Sequence, residues 1–257
     1  MLDAAPSRLD ALRQWAAEHH GLTPEAIDLR LAAGDASFRR YYRLHLPDGN
    51  TRMLMDAPPA QEDSRPFVAI ARDWAAAGLP VPALHAVDLE AGFLALDDLG
   101  DTPLQACLAG DTDAETLAWH ERAMALIHTL QQRTTSAGLP RYDAALLARE
   151  LDLFPEWCLQ AWLGMPVPTG WEALREALVA SALDQPVVTV HRDFDAMNLM
   201  VQNDELALID FQDAVAGPIT YDLVSLLRER YCRFDAARFA AWVEAFRRRA
   251  VEQGRLS

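Results

Sequence analysis

The residues with the clearest chemical content lie in one stretch, His191-Arg192-Asp193-Phe194-Asp195-Ala196-Met197-Asn198, and in Asp210-Phe211-Gln212-Asp213 shortly after it. The apolar, β-branched Val188-Thr189-Val190 reads as a strand that leads into His191, and Asn198 follows Asp193 by five positions. Short apolar runs at 199–202 and 205–209 are separated by Asn203-Asp204, the composition of a two-residue hairpin turn. Counting back from that turn pairs Asn198 with Ile209, beside Asp210, and cross-strand neighbours sit about 5 Å apart at Cβ. An amide oxygen and a carboxylate are thus expected at one end of the hairpin, next to the loop that carries Asp193. Phosphoryl transfer needs this combination. One carboxylate orients the attacking hydroxyl and accepts its proton, and a second carboxylate with an amide oxygen holds Mg²⁺ across nucleotide phosphates. Asp193 is the candidate base, and Asn198 and Asp210 are the candidate metal ligands. Asp and Asn also cap turns without doing chemistry. Specified types at fixed spacing, with a second Asp-Phe at the right distance, favour the chemical reading.

The elements that must position these residues divide by character. Ser7 with Asp10 opens an amphipathic pattern, so 7–20 reads as a capped helix. Strand-like pieces follow at 28–32, 38–46 and 51–56, the last two joined by Pro47-Asp48-Gly49-Asn50. Residues 65–77 read as a helix that stops at Gly78, and strands at 83–88 and 93–97 flank Glu90-Ala91-Gly92. Beyond about residue 102 the spacing turns helical, at 114–132, 143–163, 170–183 and 220–252, with a brief return to strands near 187. The simplest architecture is α+β. A sheet-rich lobe over 1–97 is joined through Asp97-Asp98-Leu99-Gly100-Asp101 to a mainly helical lobe over 98–257.

Composition narrows the partners. Of 257 residues, 51% are apolar and 24% charged, an ordinary globular balance. No run approaches the roughly 18 apolar residues of a membrane helix, and the N-terminus lacks the features of a secretory signal. The net charge of −15 argues against a nucleic-acid partner. Cys107, Cys158 and Cys232 form no Cys-x-x-Cys pair and suit free thiols in a reducing cytoplasm. All 23 basic residues are arginine, so any task usually given to a lysine ammonium must be met otherwise.

The His191–Asn198 segment with Asp210-Phe211 resembles the catalytic half of the aminoglycoside phosphotransferase and choline kinase superfamily, which has a protein-kinase-like fold. The likeness extends in order over most of the chain. Residues 34–46 fall where the nucleotide-covering loop and its strands belong, and 93–100 resemble the adenine-binding hinge. Within the superfamily, 34–43, Leu54-Met55-Asp56-Ala57-Pro58-Pro59, 210–213 and 217–228 are most similar to bacterial anomeric kinases of N-acetylmuramate and N-acetylglucosamine in cell-wall recycling. The resemblance implies ATP and Mg²⁺ as cofactors, with the nucleotide in a cleft between the lobes. It implies nucleotide contacts from Gly34, Ser37, Arg39, Met55, Asp97 and Leu99, and acceptor contacts from Asp195, Gln212 and Asp213. It further implies a cytoplasmic, monomeric or weakly dimeric enzyme with no membrane partner, and further helices beyond Ser257. Met55 occupies the strand position where the superfamily carries its phosphate-contacting lysine, and Arg39, Arg40 and Arg43 are the candidate substitutes. Glu62 and Asp63, ahead of the first-lobe helix, are alternative candidate braces for the nucleotide loop, although acids at a helix start are common for dipole reasons alone. Two other readings stay open: a kinase of a cationic acceptor such as an aminoglycoside or amino alcohol, and a non-catalytic nucleotide-binding module. The acidic 97–113 stretch motivates the first of these, and the absent lysine the second.

Overall fold

The computed structural model describes residues 7–34 and 38–257. In chain order its elements are α1 (Arg8–His20), β1 (Asp28–Gly34), β2 (Arg40–His45), β3 (Thr51–Asp56), α2 (Arg65–Ala76), β4 (Leu84–Asp88) and β5 (Phe93–Asp97). These are followed by α3 (Ala114–Arg133), α4 (Ala144–Leu153), α5 (Trp171–Leu183), β6 (Val187–Val190), β7 (Leu199–Gln202), β8 (Glu205–Leu208), β9 (Val215–Pro218), α6 (Tyr221–Leu227) and α7 (Ala236–Glu252). The described residues form two compact units. The first comprises the chain up to Thr102 together with Met200–Gln212, and the second comprises Pro103–Leu199 and Asp213–Ser257.

The first unit is built on a five-stranded antiparallel sheet in the order β1-β2-β3-β5-β4. The β2–β3 pairing runs in register from Arg40↔Asp56 to His45↔Thr51, as the Pro47–Asn50 turn dictates. Ser7 caps α1 by accepting the N–H of Asp10, so the polar start of this helix satisfies an otherwise orphaned donor. Leu12 and Ala16 of α1 pack with Tyr42, Leu44, Leu54 and Phe93 in the core. Arg8 ties the same helix to the buried Asp56 through its guanidinium. Apolar residues of α2 (Phe67, Trp74) meet Phe211, with ring centroids 4.9 Å and 5.4 Å away. The 200–212 segment is thereby fastened to the first unit, and Leu208 N–H to the Pro80 carbonyl (2.7 Å) adds a backbone tie.

In the second unit β6 and β9 pair antiparallel, Val187↔Pro218 to Val190↔Val215. Gly217 lies in β9 because a Cβ there would press on Tyr142 at 3.1 Å. Three of its features depart from the sequence expectation. The helix expected over 143–163 is α4 continued by a π-helical stretch, Phe154–Trp162. Pro155 supplies no N–H for the ordinary helical ladder at this junction. The helix expected over 220–252 is broken into α6 and α7, the latter restarted by Asp235, which accepts the N–H of Arg238 at 2.7 Å. The strand β9 lies where no strand pattern is visible. Among the described residues no helix is long and apolar enough to cross a membrane.

Candidate active site

The strand β6 runs directly into His191-Arg192-Asp193, and the backbone of this turn is held by one carboxylate. Asp222, on the first turn of α6 and fully buried, accepts the N–H of His191 at 2.8 Å and of Arg192 at 3.1 Å. Burial pushes the Asp222 carboxyl up to about 7, with the Asp193 charge adding to the rise, while the two N–H donors favour its ionised form. The fully buried His191 sets its ring edge-on to Phe194, itself fully buried, so the loop is anchored on both sides of Asp193. Asp193 itself is exposed.

The rest of the loop closes on itself. Asp195 N–H donates to the Asp193 carbonyl at 3.0 Å, and Asn198 N–H to the Asp195 carbonyl at 3.1 Å. Asn198 Nδ2 also donates to the Asp193 carbonyl, at 2.9 Å, which directs the amide nitrogen inward and leaves Oδ1 as the atom for a hard cation. Ala196 is pinned at both backbone groups: its N–H donates to Glu229 Oε2 and its carbonyl accepts from Gln105 N–H, each at 2.9 Å. Glu229 sits in the break between α6 and α7, and the fully buried His120 approaches its other oxygen at 3.5 Å. The Asp195 carboxylate accepts the N–H of Met197 at 2.8 Å, so this candidate acceptor contact also serves the turn.

The hairpin forms as expected, β7 and β8 joined by Asn203 and Asp204, both at positive φ (48° and 62°) as a two-residue turn of this kind requires. Asn198 stands immediately before β7, and Asp210 two positions after the end of β8. Asp210 has φ +62°, and Gln212 Nε2 donates to its Oδ1 at 2.8 Å. Asp193, Asn198, Asp195 and Asp213 belong to the second unit, and Asp210 and Gln212 to the first.

The nucleotide candidates lie in the first unit. Gly34 ends β1 opposite Arg40, whereas Ser37 falls outside the described residues. Met55 is fully buried between Tyr41 and Leu94 in the sheet register. Asp97 closes β5, accepting the Ala83 N–H at 3.1 Å and meeting His85 Nε2 at 2.7 Å, and the half-buried Leu99 follows in the linker. The three arginine candidates separate clearly. Arg43 is committed to Asp98 (2.6 Å) and Asp101 (2.8 Å), and Arg40 is exposed. Arg39 is largely buried, with Nε 3.9 Å from Glu62 Oε1, and Glu62 also accepts the N–H of Phe38 at 3.3 Å. Burial works against the Arg39 charge, but Tyr41, Glu62 and Asp210 outweigh it and hold its pKa above the usual value. Arg39 is therefore the candidate cation that Glu62 accompanies and whose charge the field of Asp210 favours. Arg39→Ala is expected to raise the KM for nucleotide by about tenfold or more, given charge-assisted bonds of roughly 1.5–3 kcal/mol. Arg40→Ala should change it little. Steady-state kinetics on both variants decide the point, and equal values would remove the assignment.

The sequence alone passed over Asp222 and Glu229. Asp222 was visible only as an acid in the first turn of a helix, a common placement for electrostatic reasons, and Glu229 fell inside the helix expected over 220–252; only the fold reveals that each reaches back to the Asp193 loop.

A buried anchor under an exposed Asp, an Asn five positions on and an Asp-Phe after a hairpin match the arrangement expected of a phosphotransferase. The chain belongs to the phosphotransferase enzyme family, whose pattern matches residues 28–255. Its fold is that of an aminoglycoside-3'-phosphotransferase of type VIII, with a TM-score of 0.62 at 17% identity over 95% of this chain and 92% of that one. The fold is shared equally with a choline/ethanolamine kinase family protein from Mesorhizobium loti (TM-score 0.62, 19% identity, 93% and 76% covered). Closer in sequence are two proteins named N-acetylmuramate/N-acetylglucosamine kinase. That of Pseudomonas putida is 40% identical over 89% of this chain and 68% of its own length. That of Pseudomonas aeruginosa is 40% identical over 93% and 71%.

Proposed function

We propose that this chain is an ATP-dependent kinase of the anomeric hydroxyl of N-acetylmuramate and N-acetylglucosamine, acting in cytoplasmic peptidoglycan recycling. The observation that carries the reading is the 40% identity, across 93% of the chain, to a protein of that name. In this reading the exposed Asp193 carboxylate orients the sugar hydroxyl and accepts its proton, while Asp222 and Glu229 keep its loop from moving. Arg39 offers positive charge to the nucleotide phosphates in place of a lysine, and Gly34, Met55, Asp97 and Leu99 line the nucleotide's place. Asn198 Oδ1 and Asp210 would hold Mg²⁺, which when bound neutralises phosphate charge. Their chemistry fits, because Mg²⁺ takes one or two carboxylates and completes its shell from phosphates and water. Asp195, Gln212 and Asp213 face the acceptor in this assignment.

ATP turnover measured with both sugars, an aminoglycoside panel and amino alcohols tests the proposal. Turnover with the sugars, abolished by EDTA and restored by Mg²⁺, is the expected result. Full activity after chelation would remove Asn198 and Asp210 as metal ligands, and ATP binding without turnover on any acceptor would leave a nucleotide-binding module.

A further inference from the structure

Arg192 adopts φ +80°, a conformation that L side chains rarely take and glycine takes freely. A residue held there against its preference points to a task for the side chain. The Arg192 guanidinium lies 5.7 Å over the Tyr142 ring, and its side chain is 21% exposed. Tyr142 is fixed in turn by its hydroxyl, which donates to Tyr221 at 2.7 Å. Glu150 of α4 takes one guanidinium nitrogen at 3.1 Å, and Asp213 stands at 4.0 Å from another. Burial opposes this charge, yet Tyr142, Glu150, Asp193 and Asp213 keep Arg192 more basic than an ordinary arginine. A cation with five N–H donors thus stands one residue before the proposed base, and one close carboxylate does not use up its donors.

The two sugars of the proposed reaction differ by a carboxylate. N-acetylmuramate carries one on its lactyl ether, and N-acetylglucosamine has none. Resting on the kinase reading above, we propose that Arg192 is the specificity-determining residue that binds this acceptor carboxylate, side by side with or in place of Glu150. The Glu150 contact explains how one site takes both sugars. A half-buried cation left without a partner is costly, and Glu150 supplies the partner when the acceptor is neutral. When the acceptor brings its own carboxylate, the planar guanidinium can meet it with two parallel N–H donors. With no lysine in the chain, an arginine must supply any such cationic contact.

The test compares kcat/KM for the two sugars in the wild type and in Arg192→Gly, Arg192→Gln and Glu150→Gln. Glycine suits φ +80°, so that variant removes the side chain without adding backbone strain. Both Arg192 variants should lose roughly tenfold or more in kcat/KM on N-acetylmuramate beyond any loss on N-acetylglucosamine, chiefly through KM. Glu150→Gln should shift the ratio the other way, towards the acidic sugar. On the wild type, the methyl ester of N-acetylmuramate should show the raised KM of an acceptor without the ionic contact, a measurement that needs no variant to fold. Equal losses on the two sugars, or an ester that performs as well as the acid, would overturn the assignment and leave Arg192 a packing residue. A wild type inactive on both sugars would overturn the kinase reading itself, and is seen before any variant is compared.

Discussion

Asp193→Asn is expected to lower turnover by about two to four orders of magnitude while leaving nucleotide affinity near that of the wild type. The structure explains why the two quantities should separate. The loop contacts described above use the backbone of residue 193 and side chains elsewhere. Asp222 holds the N–H groups of His191 and Arg192, Glu229 holds Ala196, and the Asp193 carbonyl takes Asn198 Nδ2 and Asp195 N–H. Asparagine retains all of these and matches aspartate in shape. What it lacks is the negative charge and the ability to take a proton from a hydroxyl. Kinetics with saturating ATP, together with calorimetric titration of a nucleotide analogue, measure the two effects separately. A parallel fall in both would mean that Asp193 acts by holding the loop.

The parts of the site that could be read from the sequence are those whose chemistry is local. Asp193 and Asn198 are five residues apart in one loop, and the hairpin follows from a two-residue polar turn between apolar runs, so spacing alone places them. The five strands of the first unit were legible for the same reason, each being short and bounded by turn residues, and Ser7 announced the start of α1. The supports of the loop were not legible because they act over distance. Asp222 lies 31 positions from His191 and Glu229 lies 33 from Ala196, and nothing in their neighbours distinguishes them from ordinary acids of a helix. The choice among Arg39, Arg40 and Arg43 was equally hidden, since it depends on which of them meets Asp98 and Asp101 from a distant linker. The strand β9 was missed because Val-Ala-Gly-Pro is buried throughout and shows no alternation. The π-helical stretch and the break before α7 escaped because apolar spacing continues through both, while backbone geometry changes beneath it.

Blocking the anomeric oxygen of the acceptor should abolish transfer altogether. The 1-O-methyl glycoside of N-acetylglucosamine and the borohydride-reduced alditol are both expected to give no ATP turnover above the acceptor-free rate. The reason lies in the hydroxyl itself. The C1 hydroxyl shares its carbon with the ring oxygen, which withdraws electron density and makes it more acidic than an ordinary alcohol. A carboxylate is a weak base, so Asp193 is better matched to this hydroxyl than to a primary or secondary one. In the methyl glycoside the C1 oxygen has no proton to give and its lone pairs face a methyl group. The alditol retains hydroxyls throughout but has lost the ring, and with it the acidity and the shape. Product analysis gives a second, independent reading, since a C1 phosphate has lost its reducing end whereas a 6-phosphate keeps it. Brisk phosphorylation of the methyl glycoside would remove the anomeric assignment while leaving the kinase intact. Indifference to both sugars, with turnover on an amine-bearing acceptor, would instead direct the acidic 97–113 stretch of this chain towards a cationic substrate.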